Sequence, residues 1–318
     1  MSHFPVMVVG EDPEYQLAPF HEFECTGLDD EFVKDVDITQ QVLMRTRGVE
    51  LDCDGKETGR CGPESLQEAL GYYGLDERVV DDVSLVDKTD LHKYGYAVVR
   101  DGALVLAVDR TNPDRKWDYW MIGSSWKGFL RLLPGRVGLP GTATHRTDPE
   151  VRGDPASRAS QARKRDVDWD GMRDAAEAEA MGRYRRFHEI LAGRTLPVWA
   201  EVRDRHGKGG IENARDEYGS YLVIRDLQAV RFSMSMFDEP GEYERHVLPE
   251  DDFRRLARLN AVVMFAFLRD RQWHQRGRMG WWAMVTDAKS RETWGEEFNA
   301  LLDAVPDGEL ISIVDCHI

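Results

Sequence analysis

The residues best equipped for chemistry lie near the two ends of the chain. His3 opens an apolar run, HFPVMVVG, and Asp315, Cys316 and His317 close another, LISIVDCHI. Imidazole, thiolate and carboxylate are the donors that zinc and other transition metals take. If the first and last strands are neighbours, these groups converge, and His21, Glu22, Glu24 and Cys25 approach from the segment after the first strand. A divalent metal on His3, His21, Cys316 and His317, with Glu22 or Asp315 as general base, would make a hydrolase for a phosphorylated or nucleotide substrate. Two features weigh against that set: the sequence has no CxxC or HExxH spacing, and adjacent Cys316 and His317 point to opposite faces of a strand.

A second set is aromatic. Trp117, Tyr119, Trp120 and Trp126 fall within ten residues, interleaved with Lys116, Asp118 and Lys127. Indole faces stack a base or a sugar while polar neighbours read its edge. Trp117, Asp118, Trp120, Trp126 and Lys127 are therefore candidate walls of a pocket for a nucleotide-like small molecule, which Trp281 and Trp282 would join from the same sheet. The competing use of these indoles is to fill a sheet–helix interface. Other patterns are incomplete. DCDGKETGRCGPE at 52–64 supplies part of a calcium loop, and Cys53 and Cys61 lack the two further ligands of a zinc loop. Ser124 and Ser125 lack the glycine of a nucleophile elbow, and HGKGG at 206–210 lacks the Walker spacing. No diagnostic catalytic signature is present.

The elements that must position these residues follow from periodicity. Residues 3–10 and 310–316 read as buried strands, expected in one sheet. Tyr94–Val99 and Ala103–Val108 flank Arg-Asp-Gly and predict a hairpin. Lys116–Leu133 suggests two more strands joined near Gly123, so that four strands form a meander. Helices are expected over Ile38–Arg47, Pro63–Tyr73, Trp169–Leu191 with Asp168 as cap, from Leu196 to Gly207, Pro249–Leu259 and Asp287–Val305. Tyr221–Ile224 and Ala229–Phe232 read as strands, and the run from Ala261 through Arg-Asp-Arg to Gln275 as a hairpin. Hairpins interrupted by helices predict an α+β fold, a largely antiparallel sheet with helices packed on one face. One unit spanning 1–318 is expected, with an exposed flexible segment at about 134–165, where periodicity gives way to Pro, Gly, Thr, Ser and Arg.

Composition narrows the function classes. At 318 residues, with 42% hydrophobic and 31% charged side chains, the chain is an ordinary globular protein able to bury a full core. Its net charge is −16, of which residues 1–100 hold −13, so direct nucleic-acid binding is disfavoured. Within Arg136 to Arg165 the sign reverses. Four cysteines are too few for a disulfide scaffold, and no leader or membrane-length apolar run is present, so a cytoplasmic protein is expected, neither secreted nor embedded.

Several segments together carry a resemblance: MSHF at 1–4, QLAPFHEFECTG at 16–27, TNPDRKWDYW at 111–120, GSSWKGF at 123–129, MGWW at 279–282 and VDCHI at 314–318. In these the chain resembles an uncharacterised family from tailed bacteriophages and some of their bacterial hosts, along its whole length. Members carry Gly-Gly-Arg-Trp where this chain has Gly123-Ser124-Ser125-Trp126, a departure that removes an arginine and weakens any anion-binding role for that turn. The resemblance implies a phage or prophage origin and carries over no catalytic residues. The leading expectation is thus a host-cell cytoplasmic accessory protein, of host-takeover or anti-defence type, that binds a nucleotide-like small molecule or a host protein. The metal-dependent hydrolase is the alternative.

Overall fold

The computed structural model describes residues 2–22, 31–51, 55–87, 94–142, 157–207, 210–230, 232, 240–279 and 285–318. Its centre is a mixed sheet built round the two terminal strands. His3–Val9 pairs antiparallel with Leu310–His317 along its length and parallel with Ala266–Arg269, which turns back into Gln272–Gln275. The outer side of the C-terminal strand is shared by two short strands: Gln161–Arg163 covers its first half and Tyr119–Ile122 its second. Both faces of this sheet are covered, which is why its strands read as nearly continuous apolar runs. Phe4, Val6, Val8, Val314 and Cys316 face Leu17, Phe20 and Trp117. On the other face Met7, Val9, Ile311 and Ile313 meet Trp294, Phe298 and Leu302 of the helix Arg291–Asp303, and Met172 of the helix Trp169–Leu191. Each large apolar side chain buried here contributes about 1.5–3 kcal/mol.

The fold is α+β with the terminal strands adjacent, and the long helices share one face of the central sheet. The helix Trp169–Leu191 follows its sequence signals. Asp168 Oδ1 accepts from the Gly171 N–H at 3.0 Å, and Ala192 and Gly193, with φ of +50° and +78°, end it.

The expected meander is not formed. Gly95–Arg100 and Ala103–Thr111 do make the hairpin, but they belong to a second sheet, with Lys34–Asp37 and Val79–Val80, whose core is Ile38, Val42, Leu70, Leu75, Ala97 and Ala107. Gly95, at φ +135°, lets the hairpin close on the strand opposite: a Cβ there would lie 2.4 Å from the Val108 carbonyl. Tyr119–Ile122 instead joins the central sheet, and Leu130–Arg131 pairs with Arg158–Ala159. The segment expected to be exposed at about 134–165 is corrected at its C-terminal end, where Ala159, Ser160, Gln161 and Ala162 are buried. Residues 143–156 lie outside the described residues.

The expected strand at Tyr221–Ile224 is a helix, Leu222–Ala229. Val223, Ile224 and Leu227 fall at helical spacing and bury one face against Phe187 and Leu191 of the long helix. The helices Trp199–His206 and Ile211–Ser220 complete this helical cluster. Among the described residues, no helix is long and apolar enough to cross a membrane.

Candidate functional site

Strand register brings three polar residues to one end of the central sheet. His3 lies opposite His317 and Pro5 opposite Asp315. Side chains alternate along a strand, so His3, Asp315 and His317 continue the face of Met7 and Ile313, while Cys316 turns to the other. His3 Nδ1 lies 3.0 Å from Asp315 Oδ1, and the two imidazoles meet edge to face with ring centroids 4.9 Å apart. His317 Nδ1 is 2.6 Å from Asp118 Oδ1. Facing a carboxylate, each Nδ1 carries its hydrogen and donates it. The four side chains grade outward from the interior, Asp315 being 2% exposed, His317 12%, His3 29% and Asp118 44%.

The buried Asp315 carboxylate needs donors. Its second oxygen accepts from the Ser125 backbone N–H at 3.3 Å. That N–H is aimed by the Gly-Ser-Ser turn, in which Gly123 and Ser124 take φ of +84° and +48°. Ser160 fixes the turn from beneath, where its hydroxyl accepts from the Gly128 N–H and donates to the Pro140 carbonyl. Any Cβ at Gly123 would fall 2.7 Å from the Ser160 Oγ, so only glycine fits.

Asp118 is placed by a separate set of bonds. The Trp117 indole N–H donates to the Leu17 carbonyl at 3.2 Å, His21 stacks on the indole at 4.3 Å, and His21 Nε2 lies 3.1 Å from the Asp118 carbonyl. Buried Asn112 ties the two segments together, donating to the carbonyls of Pro19 and His21 at 2.8 and 2.9 Å. Asn112 was not marked by sequence reasoning; its only signal was the Asn-Pro step that ends a strand. Beside Asp118 opens a polar cavity of about 380 Å³, lined by Glu22, Tyr94, Asp109, Arg110, Thr111 and Arg115. It lies between the second sheet and the loop that leads to the central one. Arg115 bonds the Thr111 hydroxyl at 2.6 Å and lies 3.5 Å from Glu22, and Arg110 pairs with Asp35 at 3.0 Å. Burial pushes the Asp109 carboxyl up from its ordinary range, with Arg115 opposing the shift.

The metal set His3, His21, Cys316 and His317 does not assemble. Cys316 is fully buried on the opposite face, where burial pushes its thiol well up, and His21 is occupied with Trp117 and the Asp118 backbone. Among the described residues, no group of three or more His, Cys, Asp or Glu is arranged to hold a metal ion. Glu24, Cys25 and Cys53 lie outside the described residues. The aromatic set disperses as well. Trp117 and Trp120 pack under one face of the central sheet, and Trp126 packs against the core on the other. Half-buried Lys127 closes the Gly-Ser-Ser turn, its backbone N–H donating to the Ser124 carbonyl at 3.1 Å. Indoles joined by short strands end up filling interfaces rather than sharing one pocket. Of that set Asp118 lines the polar cavity described above. Trp281 and Trp282 lie outside the described residues.

Five separate stretches of the chain contribute to this region: His3, His21 and Glu22, Asn112 to Asp118, Ser125, and Asp315 with His317. Compared with family models, curated proteins and solved structures, the chain matches none.

Proposed function

We propose that the protein is a phage-encoded accessory enzyme of the host cytoplasm that hydrolyses a nucleotide-like substrate by proton transfer through its paired imidazoles. The observation that carries this reading is the side-by-side placement of His3 and His317, each with Nδ1 tied to its own carboxylate. Such a carboxylate fixes the ring and leaves Nε2 as the atom that takes or gives a proton. One Nε2 takes a proton from water as the water oxygen bonds to phosphorus. The other gives a proton to the leaving oxygen as the phosphorus–oxygen bond breaks. Arg110 and Arg115 in the adjacent cavity suit a phosphate, and Glu22 and Asp109 suit the hydroxyl or amino groups of a nucleoside. A net charge of −16 favours a small substrate over a polynucleotide.

The test is turnover of nucleoside mono-, di- and triphosphates, cyclic mononucleotides and dinucleotides, followed by chromatography, for the wild type and for His3→Gln, His317→Gln and Asp118→Asn. Loss of a general acid or base should lower turnover of the accepted substrate by about 10²–10⁴-fold with binding retained. Undiminished turnover in both histidine variants would refute the mechanism. Binding without turnover would support a nucleotide-binding protein instead, and neither binding nor turnover across the panel would leave a host protein as the partner.

A further inference from the structure

The cavity beside Asp118, at about 380 Å³ within the range of small-molecule sites, holds an acidic group that the fold leaves without a partner. Asp109 sits near the end of the strand Ala103–Thr111, between Gly95 on one neighbouring strand and Val36 on the other. Neither neighbour has a side-chain donor, and Gly95 has no side chain to fill the space next to the carboxylate. Half-buried Asp109 accepts no hydrogen bond and joins no ion pair among the described residues.

The cations nearby are engaged elsewhere. Arg115 donates to the Thr111 hydroxyl at 2.6 Å and lies 3.5 Å from Glu22, and Arg110 pairs with Asp35 at 3.0 Å. Arg115 therefore acts on Asp109 only as a charge at longer range, which does not cancel the cost of burial. A partly buried carboxylate in this state favours a ligand that brings donors, and both of its oxygens can accept.

The bases differ in what they bring. Guanine carries N1–H and the N2 amino group side by side, two donors spaced for the two oxygens of one carboxylate. Adenine and cytosine place a ring acceptor beside their amino group, and uracil places its N–H between two carbonyls. Each would set an acceptor against a carboxylate oxygen. Tyr94 lines the same cavity, and its ring offers a base a stacking surface. Resting on the nucleotide reading above, we propose that the substrate is a guanine nucleotide whose N1–H and N2 amino group donate to the two oxygens of Asp109.

The test is equilibrium dialysis of the full chain with GMP, IMP, AMP and CMP, the nucleotide on each side being identified and quantified by chromatography. GMP should bind at one saturable site. IMP, which lacks only the N2 amino group, should bind about tenfold more weakly, and AMP and CMP more weakly still. In Asp109→Asn the amide keeps one acceptor and turns a donor toward the N2 amino group. GMP should then weaken about tenfold or more, whereas xanthosine monophosphate, with a carbonyl in place of that amino group, should bind the variant more tightly than the wild type. Equal binding of GMP, IMP and AMP would overturn the guanine assignment and leave the proposed hydrolysis standing. So would an unchanged preference for GMP in an Asp109→Asn protein shown by circular dichroism to be folded. Selective GMP binding without turnover of any guanine nucleotide would keep the assignment and remove the hydrolysis. Binding of none of these nucleotides would overturn the assignment, with the turnover panel deciding separately whether hydrolysis stands.

Discussion

Replacing Asp315 by asparagine probes the candidate site and its place in the fold together. The Asp315 side chain is 2% exposed and accepts from His3 Nδ1 at 3.0 Å and from the Ser125 N–H at 3.3 Å. An amide of the same shape keeps one acceptor oxygen and turns an NH₂ toward the other donor. One bond is lost and two donors are left facing each other. A hydrogen bond to a charged group is worth about 1.5–3 kcal/mol, and a buried unsatisfied group costs about 1–3 kcal/mol, so the expected loss is about 2.5–6 kcal/mol. His3→Gln removes the same bond from its other end. The double variant should therefore fall short of the sum of the single ones by about 1–2 kcal/mol. Urea denaturation of the four proteins measures this coupling. Because the chain has several separate cores, amide hydrogen exchange at Val6–Val8 and Ile313–Cys316 checks that the loss lies in the central sheet. Additivity within about 0.5 kcal/mol would refute the reasoning, as would a loss confined to another core. In the activity assay Asp315→Asn should lower kcat with KM little changed, since it frees the orientation of His3. An unchanged kcat would separate His3 from the chemistry.

Three further outcomes follow from groups outside the site. Arg45 is 7% exposed, forks onto Glu64 with two 2.8 Å bonds, bonds Glu50 at 2.8 Å and lies 3.4 Å above the Tyr72 ring. Arg45→Ala should lower stability by about 2–4 kcal/mol, below the full value of a buried pair because Glu50 is partly exposed, and Arg45→Lys should recover less than half. A loss below about 0.5 kcal/mol in denaturation would show that the network is idle. Cys316, buried with its thiol pushed up, should resist iodoacetamide in the folded protein and react once urea is added, as read by peptide mass spectrometry; native labelling would contradict its placement. Glu217 bonds Arg205, His206 and Tyr221, and the Arg205 bond above all lowers its pKa from 4.5 to about 2. Its stabilising contribution is therefore complete above about pH 4.5 and fades as pH falls toward about 2, so the stability gap between wild type and Glu217→Gln should shrink over that window. A gap independent of pH there would contradict the assignment.

How much of the fold was legible in the sequence depended on whether the signal was local. The helix Trp169–Leu191 and the Arg-Asp-Gly hairpin declare their ends through caps and positive-φ residues, and both form as read. The meander failed because a strand's alternation says which residues share a face, not which strand it will join. Tyr119–Ile122 pairs with the far end of the chain. Gln161 escaped notice for a different reason: it is polar yet buried, and its amide donates to the Ser312 hydroxyl at 2.8 Å across the central sheet. Hydropathy reads such a pair as surface, although each member satisfies the other. In Leu222–Ala229 the opening run Leu-Val-Ile suits strand and helix alike, and Leu227 decides for the helix only once Phe187 and Leu191 stand beside it.

At the candidate site the same division holds. Once the terminal strands pair with His3 opposite His317, alternation alone puts Asp315 with the histidines and sends Cys316 into the core. The partner of His317 was hidden, because Asp118 reaches it through an edge strand and a loop fixed by Trp117, His21 and Asn112. That construction bears on why the polar set is there at all. A buried carboxylate with an imidazole partner is a weak stabiliser, and apolar residues of similar volume often serve a sheet as well or better. Two carboxylate–imidazole pairs, one built on buried Asp315 and one on half-exposed Asp118, meet at the junction of the terminal strands. They hold two imidazoles in fixed orientation, and Asp118, the partner of His317, also lines the cavity that carries Arg110 and Arg115. Fixed ring orientation is what the proposed proton transfer would use, and turnover in His3→Gln and His317→Gln tests that use.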